Sequence, residues 1–594
     1  MAPSQQSIAR LHLLLLCVWI VIGLGLRLAN LTDKPLWTDE FSTIVFSLGN
    51  SFTTVPLGEA LTSEQLLQPL QASSSAGARS VVRHLLTESN HPPLYFLLMH
   101  GWLKLFVNQG GERLVWGARL FSVLWGTVSI PAIYGLGVFA FRSRLVGQIS
   151  AALMAVSPFG IYLAQEARHY TLPILWIIAS LACLIAAARA IRDRLLLPNW
   201  LCLTWVIVNV LGIATHYLMI LALVAEAIVL VIMGLVQSWK EQGHWYPLGH
   251  WRQIIGIVLG TIMGGAVWLP YLDTDSQLTA WIVQSQRSGW DWFSPIGQVL
   301  AGWITMLYLL PIQPPENFPD QSGLRWLVLG SGVALIGLTL WTIPKVYRGL
   351  VLQLKHRDSR LAVFVLGCYV ISSIALFLGI TYLLARDLTS AFRYNFIYFP
   401  AVILLTGAGL SSIWMGAMAD RPKAPASWFS FFYRSSARTV ILIGLMGFLG
   451  ALTVVSNWGY QKTHRPDVVA QEIRTRSAGQ EVLVAIAHQT HGQTGRLMGI
   501  AWDLQHPIRS TDQPPPQNVQ FLLAPLTRDA RSIVRVLRST LNQASRPLDL
   551  WIINFRDTPE QAIDVLLDRQ NCEAVTKRRL TDGYRYRLYR CDEE

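Results

Sequence analysis

Long apolar segments dominate this sequence and limit the folds that it can adopt. Eleven of them are long enough, at roughly 17–25 residues, to cross the hydrocarbon core of a bilayer. They occupy residues 11–29, 114–140, 145–163, 171–190, 199–215, 217–237, 253–271, 324–343, 361–384, 395–415 and 438–456. Only 14% of the 594 residues are charged, whereas soluble domains carry about 25%. The sequence therefore predicts a mainly α-helical, polytopic membrane protein.

Short basic loops indicate how these segments are oriented. Positive residues cluster at 141–144, 189–194, 240–252, 345–360 and 421–438. The positive-inside rule puts all five clusters in the cytoplasm, and it accounts for the net charge of +13 without a nucleic-acid partner. Two shorter apolar runs, 93–107 and 297–311, are then expected at the outer interface. This predicts eleven transmembrane helices, N-terminus inside and C-terminus outside; thirteen result if both short runs span.

Two parts of the chain are not expected to cross the membrane. The outer loop 30–113 is predicted to form interfacial helices around a flexible, Ser-rich break. The tail is predicted to contain buried strands at 481–487, 518–525 and 548–555, helices at 528–544 and 558–570, and an edge strand at 584–591. The sequence thus predicts a membrane domain, 1–457, and a small extracytoplasmic α/β domain, 458–594. Cys572 and Cys591 can pair if this domain faces an oxidising compartment.

Polar residues at the outer ends of the predicted helices are the candidate functional residues, because ionisable groups near a bilayer are costly. Carboxylates suit acid–base chemistry or metal binding, and the candidates are Asp39, Glu40 and Glu166. Guanidinium groups suit bidentate recognition of phosphate. The candidates for binding are His91, Arg168, His216, Arg386 and Arg393. A group transferred on this side is expected on a lipid phosphate, since nucleotide sugars are not available there.

Each of these candidates also has a structural explanation, which the sequence alone leaves open. The alternatives are a solvated loop for Asp39 and Glu40, a helix cap for His91, a surface ion pair for Glu166 with Arg168, a structural role for His216, and snorkelling to lipid phosphates for Arg386 and Arg393.

Several motifs, taken in order, resemble the C-type glycosyltransferases of family 39, which include bacterial protein O-mannosyltransferases and aminoarabinose transferases of lipid A. The motifs are LWTDEFST, SNHPPLYFLL, ARLFSVLWGTVSIPAIYGLG, SPFGIYLAQEARHYTL, THYL, FRYNFIYFPAVILL and KTHRPDVVAQEI, and they cover residues 1–473. Two features depart from parts of the family. The Lys-containing motif of the aminoarabinose branch is replaced by His91-Pro92-Pro93, and the tail does not look like the lumenal domain of the eukaryotic mannosyltransferases.

The resemblance implies a polyprenyl-phosphate-linked sugar donor and an active site that faces the periplasm. It implies that Asp39 is the catalytic acid of the first loop and that Glu166 is the second acidic position. It also implies that Arg393 and Tyr394 are the outer Arg-Tyr pair before a late helix, and that His91, Pro92 and Pro93 correspond to the His-Pro-Pro segment of the family.

We therefore predict a membrane glycosyltransferase that moves a hexose or pentose from a polyprenyl phosphate to a protein, lipid or envelope-glycan acceptor, with Asp39 as general base. The predicted location is a bacterial inner membrane. The sequence shows no ligand cluster that demands a metal, and a divalent metal between Asp39 and Glu166 is left open. The rival prediction is a flippase or transporter of lipid-linked sugars; transporters often contain repeated halves, and no internal repeat is evident.

Overall fold

The structure is a computed structural model that describes residues 5–73, 76–240, 249–271, 283, 287, 289–311, 321–419, 435–459, 464–507, 516–526, 531–555 and 560–593. It confirms the predicted fold class, since the chain is mainly helical and carries a small sheet near its C-terminus. All eleven long apolar segments are helical. Their helices are Gln5–Leu28, Gly111–Phe141, Arg144–Val156 followed by Pro158–Ala164, Thr171–Asp193, Asn199–Thr215, Met219–Lys240, Gly249–Ala266, Gln321–Gln353, Arg357–Leu383, Phe399–Ala419 and Ser435–Val455. The basic cluster 421–438 lies mostly outside the described residues.

Fewer helices meet a strict length and hydropathy criterion than the eleven predicted spans. Within the described ranges, eight helices are long and apolar enough to cross a membrane, or up to nine if the bent pair Arg144–Val156 and Pro158–Ala164 forms one span. Asn199–Thr215 is shorter, with 17 residues, and Gly249–Ala266 opens on the polar sequence GHWRQ.

The two ambiguous apolar runs form short helices. Leu94–Leu103 has 10 residues and Ser294–Leu307 has 14 residues. At about 1.5 Å per residue, neither helix matches the roughly 30 Å of a hydrocarbon core. Their lengths agree with the prediction that these runs do not span.

The chain divides into two compact units. We call Met1–Leu31, Asn90–Tyr95 and Arg119–Tyr460 the helical unit, and Thr32–Ser89, Phe96–Ala118 and Gln461–Glu594 the sheet unit. Most of the first loop therefore groups with the tail, whereas the sequence placed it with the membrane helices.

A proline explains the break in the helical unit. Pro158 has no N–H group, so the carbonyl of Met154 loses its helical donor, and the helix bends by 56° at this point. Arg27 of the first helix is fully buried there. Its guanidinium group donates hydrogen bonds to Met154 O at 3.0 Å, Ala155 O at 3.1 Å and Gly23 O at 2.9 Å. Buried carbonyls freed by the break are thus satisfied from a neighbouring helix.

In the described parts of the sheet unit, seven strands form one sheet. They are β1 (Ala60–Leu61), β2 (Glu481–His488), β3 (Asn518–Pro525), β4 (Leu548–Ile553), β5 (Cys572–Ala574), β6 (Arg579–Thr581) and β7 (Tyr584–Cys591), in the order β1-β3-β2-β4-β7-β5 with β6 also on β7. The central pairs β2–β3 and β2–β4 are parallel, and the outer pairs are antiparallel. Apolar residues cover the central strands, as parallel strands require. Besides most of Leu94–Leu103, the helices of this unit include Thr38–Leu48, Ser63–Leu67, Ala78–Glu88, Pro466–Arg476, His491–Gln505, Arg531–Gln543 and Glu560–Asp568.

Two details of the sheet differ from the sequence expectations. The prediction that 584–591 forms an edge strand was wrong, because β7 pairs with β4 on one side and with β5 and β6 on the other. The edge beside β3 is instead taken by β1, which comes from the first loop. Cys572 and Cys591 lie opposite each other on β5 and β7 and form a disulfide.

Candidate active site

A buried turn after the broken helix carries two of the candidate residues of the helical unit. The helix Pro158–Ala164 ends at Gln165. The side-chain Nε2 of Gln165 donates a hydrogen bond to Ala29 O at 2.8 Å, just after the C-terminal end of the first helix. Glu166 and Arg168 follow and are 1% and 2% exposed. The carbonyl of Arg168 accepts a hydrogen bond from the Ser122 hydroxyl at 3.0 Å. The sequence QEARHY is therefore a fixed buried turn, and the surface position that the sequence left open for Glu166 and Arg168 was wrong.

Three histidines meet at this turn. The ring centroids of His91 and His169 are 5.3 Å apart, and those of His169 and His216 are 4.5 Å apart. Arg168 contacts the first of them, with its Nη2 atom 3.1 Å from His91 Nε2. We call these four residues together with Arg393 the histidine–arginine cluster.

The hydrogen bonds define the protonation of two of the histidines. An arginine N–H can only donate, so His91 Nε2 accepts from Arg168 and the imidazole of His91 is neutral with its proton on Nδ1. The backbone N–H of Leu218 donates to His216 Nδ1 at 3.1 Å. A neutral His216 therefore carries its proton on Nε2 and keeps that N–H as a donor.

Electrostatics also keep the buried histidines neutral. Burial lowers the pKa of His169 well below its usual value, and the nearby His216, Arg168, His91 and Arg393 lower it further. Burial likewise lowers the pKa of His216, and the nearby His91, Arg168 and Arg393 lower it further. The fixed positive charges of the cluster are thus those of the two arginines, and its histidines act as neutral polar groups.

The second arginine comes from a short helical turn before the helix Phe399–Ala419. Arg393 lies in the 3-10 helix Phe392–Ile397 and is 9% exposed. Its guanidinium carbon is 5.5 Å from the ring centroid of Tyr394, whose ring is 6.2 Å from that of His216. Burial of Arg393 argues against snorkelling to lipid. Arg386 is half-exposed, forms a backbone bridge with Val283 and takes part in none of the cluster contacts above.

The two first-loop acids belong to the sheet unit. Asp39 and Glu40 lie in the first turn of the helix Thr38–Leu48, which we call the acid helix. Asp39 is half-buried, and Glu40 is fully buried. The solvated loop that the sequence left open was therefore wrong for Glu40. The positive end of the helix dipole attracts negative charge to a first turn, and both acids occupy such positions on the acid helix.

The candidate residues chosen from the sequence did not include His169, the central ring of the cluster, or its neighbour Tyr170, whose ring centroid is 4.7 Å away. Nor did they include Phe396, which packs on His216 with centroids 5.1 Å apart. A signal was present for His169, because it directly follows Arg168 in the same turn. Phe396 gave no such signal, since it is one of many aromatic residues in an apolar segment.

A metal site was left open between Asp39 and Glu166, and it stays an untested prediction. In the ranges that the structure describes, no group of three or more His, Cys, Asp or Glu side chains is arranged to hold a metal ion.

A comparison with family models identifies the class of membrane protein. Residues 90–255 match the model of dolichyl-phosphate-mannose-protein mannosyltransferases. The matched segment contains His91, Glu166, Arg168 and His216, four of the candidate residues. The match confirms the resemblance drawn from the sequence motifs: the chain is similar to the C-type glycosyltransferases of family 39, and the class it supports is a membrane glycosyltransferase.

Two solved structures are similar over nearly the whole chain. ArnT from Cupriavidus metallidurans, bound to undecaprenyl phosphate, is 13% identical, with a TM-score of 0.48, and the match covers 97% of each chain. AglB from Archaeoglobus fulgidus, in complex with an inhibitory peptide and a dolichol-phosphate, is 12% identical, with a TM-score of 0.43, over 97% of this chain and 74% of that one. At these values neither structure decides what this chain does. No curated protein matches it.

Proposed function

We propose that this chain transfers a monosaccharide from a polyprenyl phosphate to an acceptor on the outer face of a bacterial inner membrane. The observation that carries the proposal is the histidine–arginine cluster, which combines two buried guanidinium groups with neutral imidazoles. Guanidinium groups and the N–H donors of neutral imidazoles in a buried site suit a phosphate anion, which accepts several charge-assisted hydrogen bonds. Most of the cluster lies within the matched family segment.

The cluster residues have distinct roles in this proposal. Arg168 and Arg393 bind the phosphate of the donor and stabilise the negative charge that grows on it as the sugar leaves. His216 donates its Nε2–H to a phosphate oxygen, because its Nδ1 already accepts from the backbone. Tyr394 packs beside Arg393 and orients its guanidinium group. Arg386 contacts the carrier at the mouth of the site.

The transfer is an inverting displacement at the anomeric carbon. The bond between this carbon and the phosphate oxygen breaks, and its electron pair leaves with the polyprenyl phosphate. The acceptor nucleophile forms the new bond from the opposite face, and its proton passes to the carboxylate of Asp39 as general base. Glu166 orients the acceptor, and the neighbouring Glu40 tunes the pKa of Asp39. The acceptor is a protein, a lipid or an envelope glycan.

The disulfide of the sheet unit supports an extracytoplasmic location. Disulfides persist in oxidising compartments such as the bacterial periplasm, and Cys572–Cys591 joins two strands of the sheet. The positive-inside pattern of the short loops supports the same orientation.

Loss of the proposed base tests the function. Membranes of a deletion strain that express the chain are given undecaprenyl phosphate carrying tritium-labelled mannose, glucose, galactose or 4-amino-4-deoxyarabinose, and transfer of label out of the donor is measured. We expect one donor to be used and Asp39→Asn to lower its turnover about 100-fold or more, since general bases contribute 10²–10⁴-fold. The matched control is Asp33→Asn, an exposed acid of the same loop, which should keep full activity. Near-wild-type turnover of Asp39→Asn at normal expression would reject the base assignment.

A flippase would use the same phosphate-binding residues without chemistry. Vesicles that contain the purified chain and a fluorescent undecaprenyl-phosphate sugar distinguish the two functions. Movement of the donor between leaflets with no transferred label, unchanged in Asp39→Asn, would favour the flippase.

A further inference from the structure

We propose that the tail of this protein positions the acid helix, with His464 as the positioning residue. The inference rests on the proposed function, because it matters for catalysis only if Asp39 is the base. All residues that carry it belong to the sheet unit.

The acid helix lacks a cap of its own. The residue before its first turn is Trp37, which forms no side-chain hydrogen bond to the helix. Helix N-termini leave backbone N–H groups without helical partners, and Ser, Thr, Asp or Asn usually stabilises them. The turn that carries Asp39 and Glu40 is therefore not fixed by a local cap, and a contact from elsewhere must hold it.

His464 supplies such a contact. Its Nδ1 is 2.7 Å from the hydroxyl oxygen of Thr38, the first residue of the acid helix and the neighbour of Asp39. Its Nε2 is 3.3 Å from Nη2 of Arg496. An arginine can only donate, so Nε2 accepts, the proton resides on Nδ1, and His464 donates to Thr38. The ring also meets Trp37 edge-on, with centroids 5.7 Å apart.

The ring of His464 is itself held in place. Gly583, in the turn before β7, has a φ of +81°, and a Cβ atom there would clash with Cδ2 of His464. Only glycine fits this turn against the ring. The backbone N–H of Arg465 donates to Asp582 O at 2.9 Å in the same turn. The imidazole is thus clamped between the turn and the acid helix.

A helix of the tail supports the same turn by close packing. This helix, His491–Gln505, carries Gly495, where a Cβ atom would lie 2.9 Å from Thr38 Cγ2 and 3.4 Å from Thr38 O. Any larger residue would displace the first turn of the acid helix. Two separate contacts of the tail, one hydrogen bond and one steric fit, therefore converge on Thr38.

These contacts define a function for the tail. It holds the first turn of the acid helix in place, so that the carboxylate of Asp39 keeps one direction throughout the reaction. A base displaced by about 1 Å can lose 10²-fold in rate. Positioning of this kind affects kcat and leaves donor binding unchanged.

The experiment is a double-mutant cycle on full-length protein in membranes, with the labelled undecaprenyl-phosphate sugar that the wild type uses. We expect His464→Phe and Thr38→Val each to lower kcat about tenfold, with the donor KM unchanged within about twofold. The double variant should be no slower than the worse single variant, because both remove the same hydrogen bond. His464→Asn places an amide N–H near the Nδ1 position and should restore most of the rate.

Controls separate positioning from damage to the fold. His506→Phe, at the far end of the helix His491–Gln505 where the ring stacks on Trp502, should keep wild-type kcat. Gly495→Ala should lower kcat, whereas Gly492→Ala, whose Cβ would meet the hydroxyl of Thr490, the N-cap residue of the same helix, should not. If His464→Phe fails to fold, Gly495→Ala and Thr38→Val still test the proposal.

The outcomes distinguish this proposal from the assignment of the base. If Asp39→Asn is inactive but His464→Phe and Gly495→Ala keep wild-type kcat, positioning by the tail is wrong and the base stands. Additive losses in the cycle, or no recovery in His464→Asn, would also overturn it. If Asp39→Asn stays active, the base assignment fails first.

Discussion

Arg27 gives the sharpest test of how the broken helix is stabilised. The substitution Arg27→Met removes the hydrogen bonds to the carbonyls of Met154 and Ala155 and leaves an apolar side chain of similar length. These carbonyls then have no donor in a buried region, because Pro158 has no N–H and the chain bends by 56°. The Gly23 carbonyl lies within an unbroken helix and is therefore not counted as an orphaned carbonyl. At about 1–3 kcal/mol for each orphaned carbonyl, the expected cost is about 4 kcal/mol in total.

The assay measures the apparent melting temperature of the detergent-solubilised chain. Samples are heated to a series of temperatures, and the fraction that stays monodisperse is measured by size-exclusion chromatography. A loss of this size should lower the apparent melting temperature by about 5 °C or more. Arg10→Met, an exposed arginine of the same helix, is the matched control and should change little. Adding Pro158→Ala should recover part of the loss, because it returns a backbone donor. Equal stability of Arg27→Met and Arg10→Met would refute the reasoning.

Three further predictions follow from the geometry. Burial lowers the pKa of His169 and His216 in the folded state, so the unfolded chain binds protons at a higher pH than the folded chain does. The free energy of unfolding should therefore fall as the pH drops below about 6.5, by up to about 1.4 kcal/mol per pH unit for each histidine. Melting temperatures at pH 7.5 and 5.5 measure this, and equal values would contradict it. Reducing the Cys572–Cys591 disulfide, which closes a loop with a sequence separation of 19, should destabilise the sheet unit by about 3 kcal/mol, seen as faster limited proteolysis; Cys17→Ser should not affect it. Arg393→Met should weaken binding of undecaprenyl phosphate about tenfold or more, measured by native mass spectrometry. Arg393→Lys should bind with intermediate affinity, because a lysine cannot form the bidentate contact of a guanidinium group with phosphate. Equal binding by the two variants would argue against that bidentate contact.

The fold was predicted mostly from the length of the apolar segments and from the order of the sequence motifs. Eleven segments read as spans are all helices, because hydrophobic runs of this length have few other structures available in a membrane. The central strands of the tail were equally clear, since continuous apolar runs such as EVLVAIA are typical of buried parallel strands. The broken helix was foreseeable only in part: Pro158 is visible in the sequence, but its partner Arg27 lies far away in the chain.

The candidate site shows where sequence reasoning stops. Glu166, Arg168 and His216 were chosen because polar residues at helix ends are unusual, and the structure brings the last two together with His91. The residues missed are those whose role depends on tertiary contacts. His464 is an example: it stands in a polar segment with no periodicity, and its bond to Thr38 joins residues 426 positions apart. The pairing of β1 with β3 gave no signal either, since a two-residue strand has no pattern to read.

One measurement tests the central claim most directly: a cryo-electron microscopy structure of the full-length chain with undecaprenyl phosphate. The account predicts density for the phosphate within hydrogen-bonding distance of Arg168, Arg393 and His216. A phosphate bound elsewhere, with the histidine–arginine cluster closed and unoccupied, would contradict it.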